Sequence, residues 1–266
     1  MALVLITGGT GTLGRQVADR VRRSGDEVRI LSRHPAKPGA PGEPGVQRVV
    51  GDLATGRGIA EAVTGVDVIA HCAGGPKDDE ALTRTLVAAA KKAGAPHIVS
   101  VSVVGADRVP MRSRIDRTLF GYFAMKLATE RVVRQSGLPW TVLRASQFFE
   151  LIETVAGALS KSPVVPTFRG LKFQPVDVQT VADRMAELIR GDPAGLVPEV
   201  AGPVVADMAV FVRDYLQVKG KRRALVPIPL PGAAAHAIAA GAITAPDQAV
   251  GRQTWVEYLT TARGPR

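Results

Sequence analysis

The chain has 266 residues, of which 46% are hydrophobic, 22% charged and 5% aromatic, and its formal net charge is +10. This composition is ordinary for a folded globular protein and excludes a disordered chain. The length suits one large α/β core, alone or with a small cap.

The positive charge does not indicate a nucleic-acid-binding protein. Basic residues are scattered along the chain without interleaved aromatic residues, and only Lys219–Arg223 forms a tight cluster. We therefore predict solvated helix faces that also attract an anionic cofactor or substrate, and no specific nucleic acid.

Cysteine content and hydropathy bear on the compartment. The single cysteine, Cys72, excludes an internal disulfide and a cysteine-rich metal site. No signal-peptide pattern opens the chain, and the apolar run Pro231–Ala245 is shorter than the roughly 20 residues of a membrane span. The sequence predicts a cytoplasmic protein with no membrane span and no bound metal.

Strands alternate with helices in the first part of the chain. Apolar residues at helical spacing, as in Leu82–Ala90 and Leu119–Val132, predict helices between short Val-rich runs. This alternation predicts an α/β fold with a Rossmann-type, doubly wound parallel sheet. The predicted strands are Val4–Ile6, Val28–Leu31, Val46–Val50, Val66–Ala70, Ile98–Ser102 and Thr141–Leu143.

The alternation loosens after about Ser146, where prolines become frequent. We predict a Rossmann core over residues 1–150. Residues 151–266 are predicted to complete the sheet and form a small cap on the substrate side, within a single structural unit. The Pro/Gly-rich stretch Pro35–Pro44 predicts a flexible loop at the rim of the site.

The segment "LITGGTGTLGRQV" places glycines at a spacing of three, Gly8, Gly11 and Gly14, between a strand and a helix. The first allows a tight turn, the second lets the backbone approach a pyrophosphate, and the third lets helix and strand pack closely. The helix N-terminus adds N–H donors and positive partial charge. We predict a dinucleotide-binding loop that also includes Thr10, Thr12 and Leu13.

The end of the second strand predicts which dinucleotide binds. NAD-binding proteins usually place a carboxylate there for the ribose hydroxyls, whereas this chain has Ser32 and Arg33. A guanidinium holds a 2′-phosphate that a carboxylate would repel. The sequence therefore predicts NADP(H), bound through Arg33, with Arg15 and Lys37 as further candidates for the same phosphate.

The ends of the next two strands predict further cofactor contacts. "GDL" at Gly51–Leu53 and "HCAGG" at His71–Gly75 close the third and fourth strands. We predict that Asp52 accepts a hydrogen bond from the adenine amine and that Leu53, Cys72, Ala73 and Gly74 contact the cofactor. His71 and Cys72 lack metal-spaced or triad-like partners, so we interpret them as wall residues.

Five motifs occur in order: "TGGTGTLG", "GDL", "SVSVVGADRVP", "GYFAMK" and "GLPWTVLRASQFFE". In this order they resemble the atypical short-chain dehydrogenases/reductases, in the NmrA-like NAD(P)H-binding group. The resemblance covers residue 3 to about residue 190 and extends more loosely to the end.

The resemblance implies roles for Tyr122 and Lys126, which lie four residues apart and so share one face of a helix. In relatives with this pair, the Tyr exchanges a proton with the substrate, while the Lys holds the nicotinamide ribose and lowers the phenol pKa. Because Tyr122 lies among Phe120, Phe123 and Met125, a packed aromatic side chain is the alternative.

The third catalytic position of the family falls on either Ser102 or Val103. Active relatives carry a hydroxyl at the end of the fifth strand that polarises the substrate carbonyl, and this chain reads "SVSVVG". If Val103 takes the position, that polarisation is lost, which favours a weak reductase or a cofactor sensor.

Segments after the sixth strand predict the substrate side. Gln147, Phe148 and Phe149 are candidate pocket walls, whereas Asp177 is predicted to cap the following helix. The small-residue helix Ala233–Ala245 and Trp255 are predicted to pack in the core, with a cover over the site or a partner surface as the alternative.

These observations predict an NADP(H)-dependent oxidoreductase that reduces a small, largely apolar carbonyl or activated alkene, as a monomer or homodimer. A non-catalytic NADP(H)-binding redox sensor or assembly factor is the alternative. A sugar-nucleotide epimerase is a weaker one, because the cap is small.

Overall fold

The computed structural model describes residues 1–35, 44–75 and 78–261. Most of the loop predicted over Pro35–Pro44, with Lys37, lies outside the described residues. The helices are α1 (Thr12–Arg23), α2 (Ile59–Val63), α3 (Asp79–Ala93), α4 (Arg114–Arg134), α5 (Phe149–Leu159), α6 (Val178–Arg190), α7 (Met208–Val218), α8 (Ala233–Ala239) and α9 (Trp255–Thr261), with a 3₁₀ turn at Pro246–Gln248. The strands are β1 (Leu3–Thr7), β2 (Glu27–Ser32), β3 (Val46–Val50), β4 (Val68–His71), β5 (His97–Val103), β6 (Trp140–Ala145), β7 (Val164–Phe168), β8 (Lys172–Phe173), β9 (Gly195–Leu196), β10 (Ala206–Asp207) and β11 (Ala224–Ile228).

A seven-stranded parallel sheet, in the order β3-β2-β1-β4-β5-β6-β9, dominates the fold. Strand β1 lies between β2 and β4, and its last residue, Thr7, pairs with Leu31 on one side and His71 on the other. This is the doubly wound Rossmann arrangement, so the predicted fold class is confirmed. In such sheets the carboxyl ends of the strands form the ligand-binding edge.

The observed strands match the predicted ones closely, and local contacts explain the differences. Strand β4 begins at Val68 instead of Val66, because Asp67 is engaged with Leu3 through both its amide and its carboxylate. Helix α8 ends at Ala239, well before Ala245, since Gly241 adopts a φ of +95° that breaks the helix. Leu119, predicted to face inward from α4, is 50% exposed.

Packing groups the chain into two compact units. The first comprises Met1–Ser102, Met125–Leu143 and Val181–Val197, and the second Val103–Ala124, Arg144–Thr180 and Pro198–Arg266. Helix α4 contributes residues to both units. The predicted division of the chain at residue 150, into a cofactor-binding core and a cap on the substrate side, stays a prediction.

The core of the first unit is aliphatic. Leu5, Ile69 and Ile98, from neighbouring strands, are completely buried together with Leu86 of α3. Burial of each such side chain contributes about 1.5–3 kcal/mol through the hydrophobic effect. This core fixes β1, β4 and β5, whose carboxyl ends carry the predicted site.

The core of the second unit is aromatic. Trp255 stacks on Tyr258 and packs against Phe149 and Phe211, and its indole N–H donates to the carbonyl of Phe211 at 3.0 Å. Trp255 is thus a core residue, as predicted. Beside this cluster, β7 pairs with β11 in parallel and β8 with β10 in antiparallel orientation.

Among the described residues, no helix combines the length and apolar character that crossing a bilayer requires.

Gln174 is a completely buried polar residue that ties three segments of the second unit together. Its amide nitrogen donates to the carbonyls of Gly202 and Ala245 at 2.8 and 3.3 Å, and its amide oxygen accepts the Ala245 N–H at 2.7 Å. Each of these backbone groups would be left unsatisfied if the side chain were apolar.

We expect Gln174→Leu to lower the free energy of unfolding by about 3 kcal/mol or more, because each buried orphan costs about 1–3 kcal/mol. Urea denaturation followed by tryptophan fluorescence measures the change. Gln135→Leu, on an exposed residue, is the matched control. Equal effects of the two substitutions would show that the bonds of Gln174 contribute little.

Candidate cofactor and catalytic site

The glycine loop after β1 packs so closely that side chains are excluded at two of its three glycines. Gly8 has a φ of +69°, and a Cβ there would lie 2.7 Å from the backbone of Ala73. A Cβ on Gly14 would lie 2.2 Å from the carbonyl oxygen of Gly8. The first glycine therefore brings the loops after β1 and β4 together, and the third brings α1 against its own loop.

Gly11 is constrained differently. A Cβ at Gly11 would meet only the Gly8 oxygen, at 3.2 Å, so the space beyond it is open among the described residues. Gly11 is also the N-cap of α1 and supplies no capping side chain, which leaves the first-turn amides available. Thr12 is exposed beside it, as is Thr10, while Leu13 is buried.

This loop fits a dinucleotide. An approachable backbone at Gly11 and uncapped amides at a helix N-terminus are what a pyrophosphate requires. The assignment of individual loop residues to the cofactor stays a prediction.

Arg33 directly follows β2 and is exposed. It makes no hydrogen bond or ion pair with the residues that the structure describes, so its guanidinium is available to an anion. The neighbouring Ser32 hydroxyl accepts the N–H of His34 at 3.3 Å, and its carbonyl accepts the N–H of Gly51 after β3. The ends of β2 and β3 thus lie side by side, and their contact with the cofactor stays a prediction.

Asp52 and Leu53 follow β3. One carboxylate oxygen of Asp52 accepts the N–H of Ala54 at 2.9 Å in a local turn, and Leu53 is buried in the aliphatic core. Their contacts with the adenosine half stay predictions.

His71, at the end of β4, is an internal connector. Its Nδ1 and Nε2 lie 2.7 and 2.9 Å from the hydroxyls of Thr7 and Thr83. Because Thr83 donates its own proton to the Asp79 carbonyl at 2.7 Å, His71 Nε2 donates to Thr83 and Nδ1 accepts from Thr7. Burial, with a smaller contribution from Lys126, lowers the pKa of His71 to about 4. The imidazole is therefore neutral and fully bonded.

The loop after β4 is tied down at two points. The Ala73 N–H donates to the Thr7 hydroxyl at 3.3 Å, and the Gly75 N–H donates to Asp79 at 2.7 Å. Cys72 lies in this loop, and burial raises the pKa of its thiol to about 12. It is not a nucleophile at neutral pH, in agreement with its interpretation as a wall residue.

Lys126 is buried against this loop. Its ammonium donates to Asp79 Oδ2 at 2.8 Å, and the side chains are only 9% and 2% exposed. A Cβ on Gly74 would lie 2.9 Å from Lys126 Nζ. The first unit therefore brings Lys126 to the edge of β4, beside the glycine loop.

Ser102 and Val103 are both buried at the end of β5. The Ser102 hydroxyl donates its single proton to Glu130 of α4 at 2.5 Å. A carbonyl-polarising role for Ser102 stays a prediction and requires this bond to break.

In the second unit, Tyr122 is 47% exposed. Its role as proton donor and the alternative of a packed aromatic side chain both stay predictions. Its ring meets Phe123 edge to face at 5.8 Å. Tyr122 lies one helical turn before Lys126 in α4.

The predicted pocket walls of the second unit have different surroundings. Gln147 is held at both ends of its amide: the nitrogen donates to the Ile243 carbonyl at 3.2 Å and the oxygen accepts the Gln174 N–H at 3.3 Å. Phe148 is half-buried and is the N-cap of α5, whereas Phe149 lines a cavity of about 100 Å³ with Phe211 and Trp255. Their contact with a substrate stays a prediction. Asp177 accepts the N–H and hydroxyl of Thr180, which confirms it as the cap of α6.

Sequence reasoning missed Asp79, Thr83 and Glu130, the buried partners of His71, Lys126 and Ser102. A buried lysine needs a counter-ion, and "DDE" at the start of α3 was a visible candidate. Which of three adjacent acids takes that role depends on how the helix starts, and the sequence does not show this.

Comparisons with known proteins show the family to which the chain belongs. A family model described as NAD(P)H-binding matches residues 8–191. A (4-alkanoyl-5-oxo-2,5-dihydrofuran-3-yl)methyl phosphate reductase from Streptomyces griseus is 31% identical over 207 residues, which are 76% of this chain and 68% of that protein. A photosystem II assembly factor from Trieres chinensis is 30% identical over 192 residues, 67% of this chain. The present chain spans 57% of that relative's length.

Among solved structures, an NADPH-dependent quinone oxidoreductase from Escherichia coli, in complex with NADPH, superimposes with a TM-score of 0.81. The match covers 98% of this chain and all of that chain, at 20% identity. At this identity the likeness shows the fold.

The lowered pKa of His71 predicts a pH-dependent stability. The unfolded histidine takes up a proton below about pH 6.5, whereas the folded one resists protonation down to about 4, so stability is lost as the pH falls through this window. We expect a loss of about 3 kcal/mol in the free energy of unfolding. Burial also lowers the pKa of His97, which acts in the same direction.

Denaturation curves at a series of pH values measure this dependence. His71→Asn should flatten it, while the same change at the exposed His236 should not. If His71→Asn leaves the slope intact, the imidazole does not stay neutral in the folded protein.

Proposed function

Since the chain belongs to the NAD(P)H-binding family, we propose that it is an NADP(H)-dependent oxidoreductase that reduces a small, largely apolar carbonyl or activated alkene. The family match covers residues 8–191, and it confirms the resemblance to the atypical short-chain, NmrA-like group. We further propose that the protein is a monomer or homodimer in the cytoplasm.

The observation that carries the proposal is the placement of Lys126. Its ammonium lies at the end of β4 against Gly74, in the loop that packs on the glycine loop. Desolvating a lysine costs several kcal/mol, which favours a functional reason for its position.

In the proposed reaction, the bound cofactor supplies a hydride from its nicotinamide ring. The α1 amides bind its pyrophosphate, Arg33 holds the 2′-phosphate, and Lys126 orients the nicotinamide ribose. Tyr122 then donates its phenolic proton to the oxygen or carbon that becomes negative. A cationic neighbour makes this proton easier to release.

The Streptomyces griseus relative supports the activated-alkene option. Its name describes a dihydrofuran substrate whose ring alkene is flanked by oxo and alkanoyl groups. Conjugated carbonyl groups stabilise the negative charge that hydride addition leaves behind.

The second candidate is a cofactor sensor or assembly factor without turnover. Two observations favour it: the Ser102 hydroxyl is bonded to Glu130, and the Trieres chinensis relative is an assembly factor.

We expect Tyr122→Phe to lower kcat by roughly 10²- to 10⁴-fold, the usual contribution of a general acid, while NADPH affinity stays unchanged. NADPH oxidation with a panel of quinones, aldehydes and enones measures turnover, and calorimetry measures binding. Tyr215→Phe, in α7, is the control. Unchanged turnover would reject Tyr122 as the proton donor. A silent panel with intact NADPH binding would support the sensor.

Cofactor choice is tested by Arg33→Asp. A charge-assisted bond contributes about 1.5–3 kcal/mol, so NADPH affinity should fall roughly ten- to hundredfold and preference should shift toward NADH. Dissociation constants for both cofactors at one salt concentration give the ratio. Arg23→Asp, on an exposed residue at the end of α1, controls for the altered net charge. An unchanged ratio would place the 2′-phosphate elsewhere.

A further inference from the structure

Asp79 is a buried carboxylate that holds two parts of the site at once. Oδ2 accepts from the Lys126 ammonium at 2.8 Å, and Oδ1 accepts from the Gly75 N–H at 2.7 Å. Asp79 is 2% exposed and begins α3. Its two oxygens therefore fix the position of Lys126 relative to the loop after β4.

A buried ammonium requires a counter-ion, and Asp79 supplies one to Lys126. An ammonium taken out of water without a counter-ion is strongly unfavourable, and the favourable partner must lie within hydrogen-bonding distance. Asp79 supplies this contact from a residue whose side chain the adjoining loop also fixes. Because both charges are buried, solvent and salt screen their attraction weakly.

The start of α3 is held in an unfavourable conformation. Asp78, its N-cap, has a φ of +63°, the one positive value among non-glycine residues in the described ranges. Such a conformation persists only where surrounding contacts determine it. The bonds from Asp79 to Lys126 and Gly75 are contacts of this kind.

Gly74 lies directly beside the ion pair formed by Lys126 and Asp79. A side chain at Gly74 would approach Lys126 Nζ to 2.9 Å and Asp79 Oδ2 to 3.4 Å. The residue facing the ion pair is thus one without a side chain, and it is exposed. The exposed Gly74 beside the ion pair belongs to the loop edge where the cofactor is proposed to bind.

We propose that Asp79 is a positioning residue, which sets the Lys126 ammonium for contact with the bound cofactor and fixes the loop after β4 around it. The inference rests on the proposed role of Lys126, and it assigns Asp79 no contact with substrate. It predicts that the effect of Asp79 on the cofactor passes through Lys126.

A double-mutant cycle tests this dependence. Asp79→Asn keeps an oxygen for the Gly75 N–H but removes the charge, and Lys126→Met removes the ammonium. We expect each change to weaken NADPH binding by roughly three- to hundredfold, the range of coupling between contacting groups. Each should also change the fluorescence of the bound nicotinamide. Adding Asp79→Asn to Lys126→Met should have little further effect on either measurement.

Glu80→Gln, on the next residue of α3, is the matched control for losing a first-turn acid, because Glu80 pairs with the exposed Arg84. It should bind NADPH as the unmodified protein does. Asp79→Glu keeps the charge and should recover part of the affinity lost in Asp79→Asn.

Two results would overturn the inference. One is NADPH binding by Asp79→Asn that matches the unmodified protein in affinity and fluorescence. The other is an equal loss from Asp79→Asn with and without Lys126, which would mean that Asp79 acts only on the loop.

If Asp79→Asn does not fold, Asp79→Glu takes its place in the cycle, because the longer side chain keeps the charge but shifts the carboxylate. We expect a smaller loss of NADPH affinity than in Lys126→Met, and no further loss when the two changes are combined. An equal loss from Asp79→Glu with and without Lys126 would contradict the inference. The cycle requires only binding, so a protein that reduces no acceptor would refute the proposed function and still decide the role of Asp79.

Discussion

The buried polar chain from Thr7 through His71 and Thr83 to Asp79 and Lys126 is the constraint on which the site depends. Parallel pairing places Thr7 opposite His71, so two strands end at the same level with their polar side chains in contact. A buried polar group is tolerated only when its hydrogen bonds are made. Since every member of this chain has its partner, small displacements of one strand end would leave several groups unsatisfied, and the loops that follow are held in place.

The glycine loop depends on this fixed edge. Gly8 lies close to the backbone of Ala73, and the Thr7 hydroxyl accepts the Ala73 N–H, so the loops after β1 and β4 are held together. The open space at Gly11 is therefore a consequence of close packing at Gly8 and Gly14. A strand-to-helix turn that is already rigid loses little conformational entropy when it binds an anion.

Much of the fold was predictable from the sequence, because hydrophobic period and glycine spacing are local signals. The strands around Leu5, Ile30 and Ile98 are short runs rich in Val, Ile and Leu, and Asp177 directly precedes the helix that it caps. The partners of Lys126 and Ser102 were not predictable, because Asp79 and Glu130 lie 47 and 28 residues away and only tertiary packing joins them. The exposure of Tyr122 and the engagement of both ends of Gln147 also depend on distant segments. Sequence patterns thus predict local elements such as the strand-to-helix turn at Gly8 well, and the tertiary partners of polar side chains less well.

Helix α4 carries two buried charged residues, Lys126 and Glu130, whose partners lie in different elements of the first unit. Lys126 and Glu130 are four residues apart on α4, so both lie on one face of the helix. Lys126 pairs with Asp79 beside the end of β4, whereas Glu130 accepts the hydroxyl proton of Ser102 in β5. The Ser102 hydroxyl has one proton, which it donates to the Glu130 carboxylate. If Ser102 donated this proton to a substrate instead, its hydrogen bond to the buried Glu130 would be lost. The bond to Glu130 therefore opposes a carbonyl-polarising role for Ser102, whereas Tyr122 is 47% exposed.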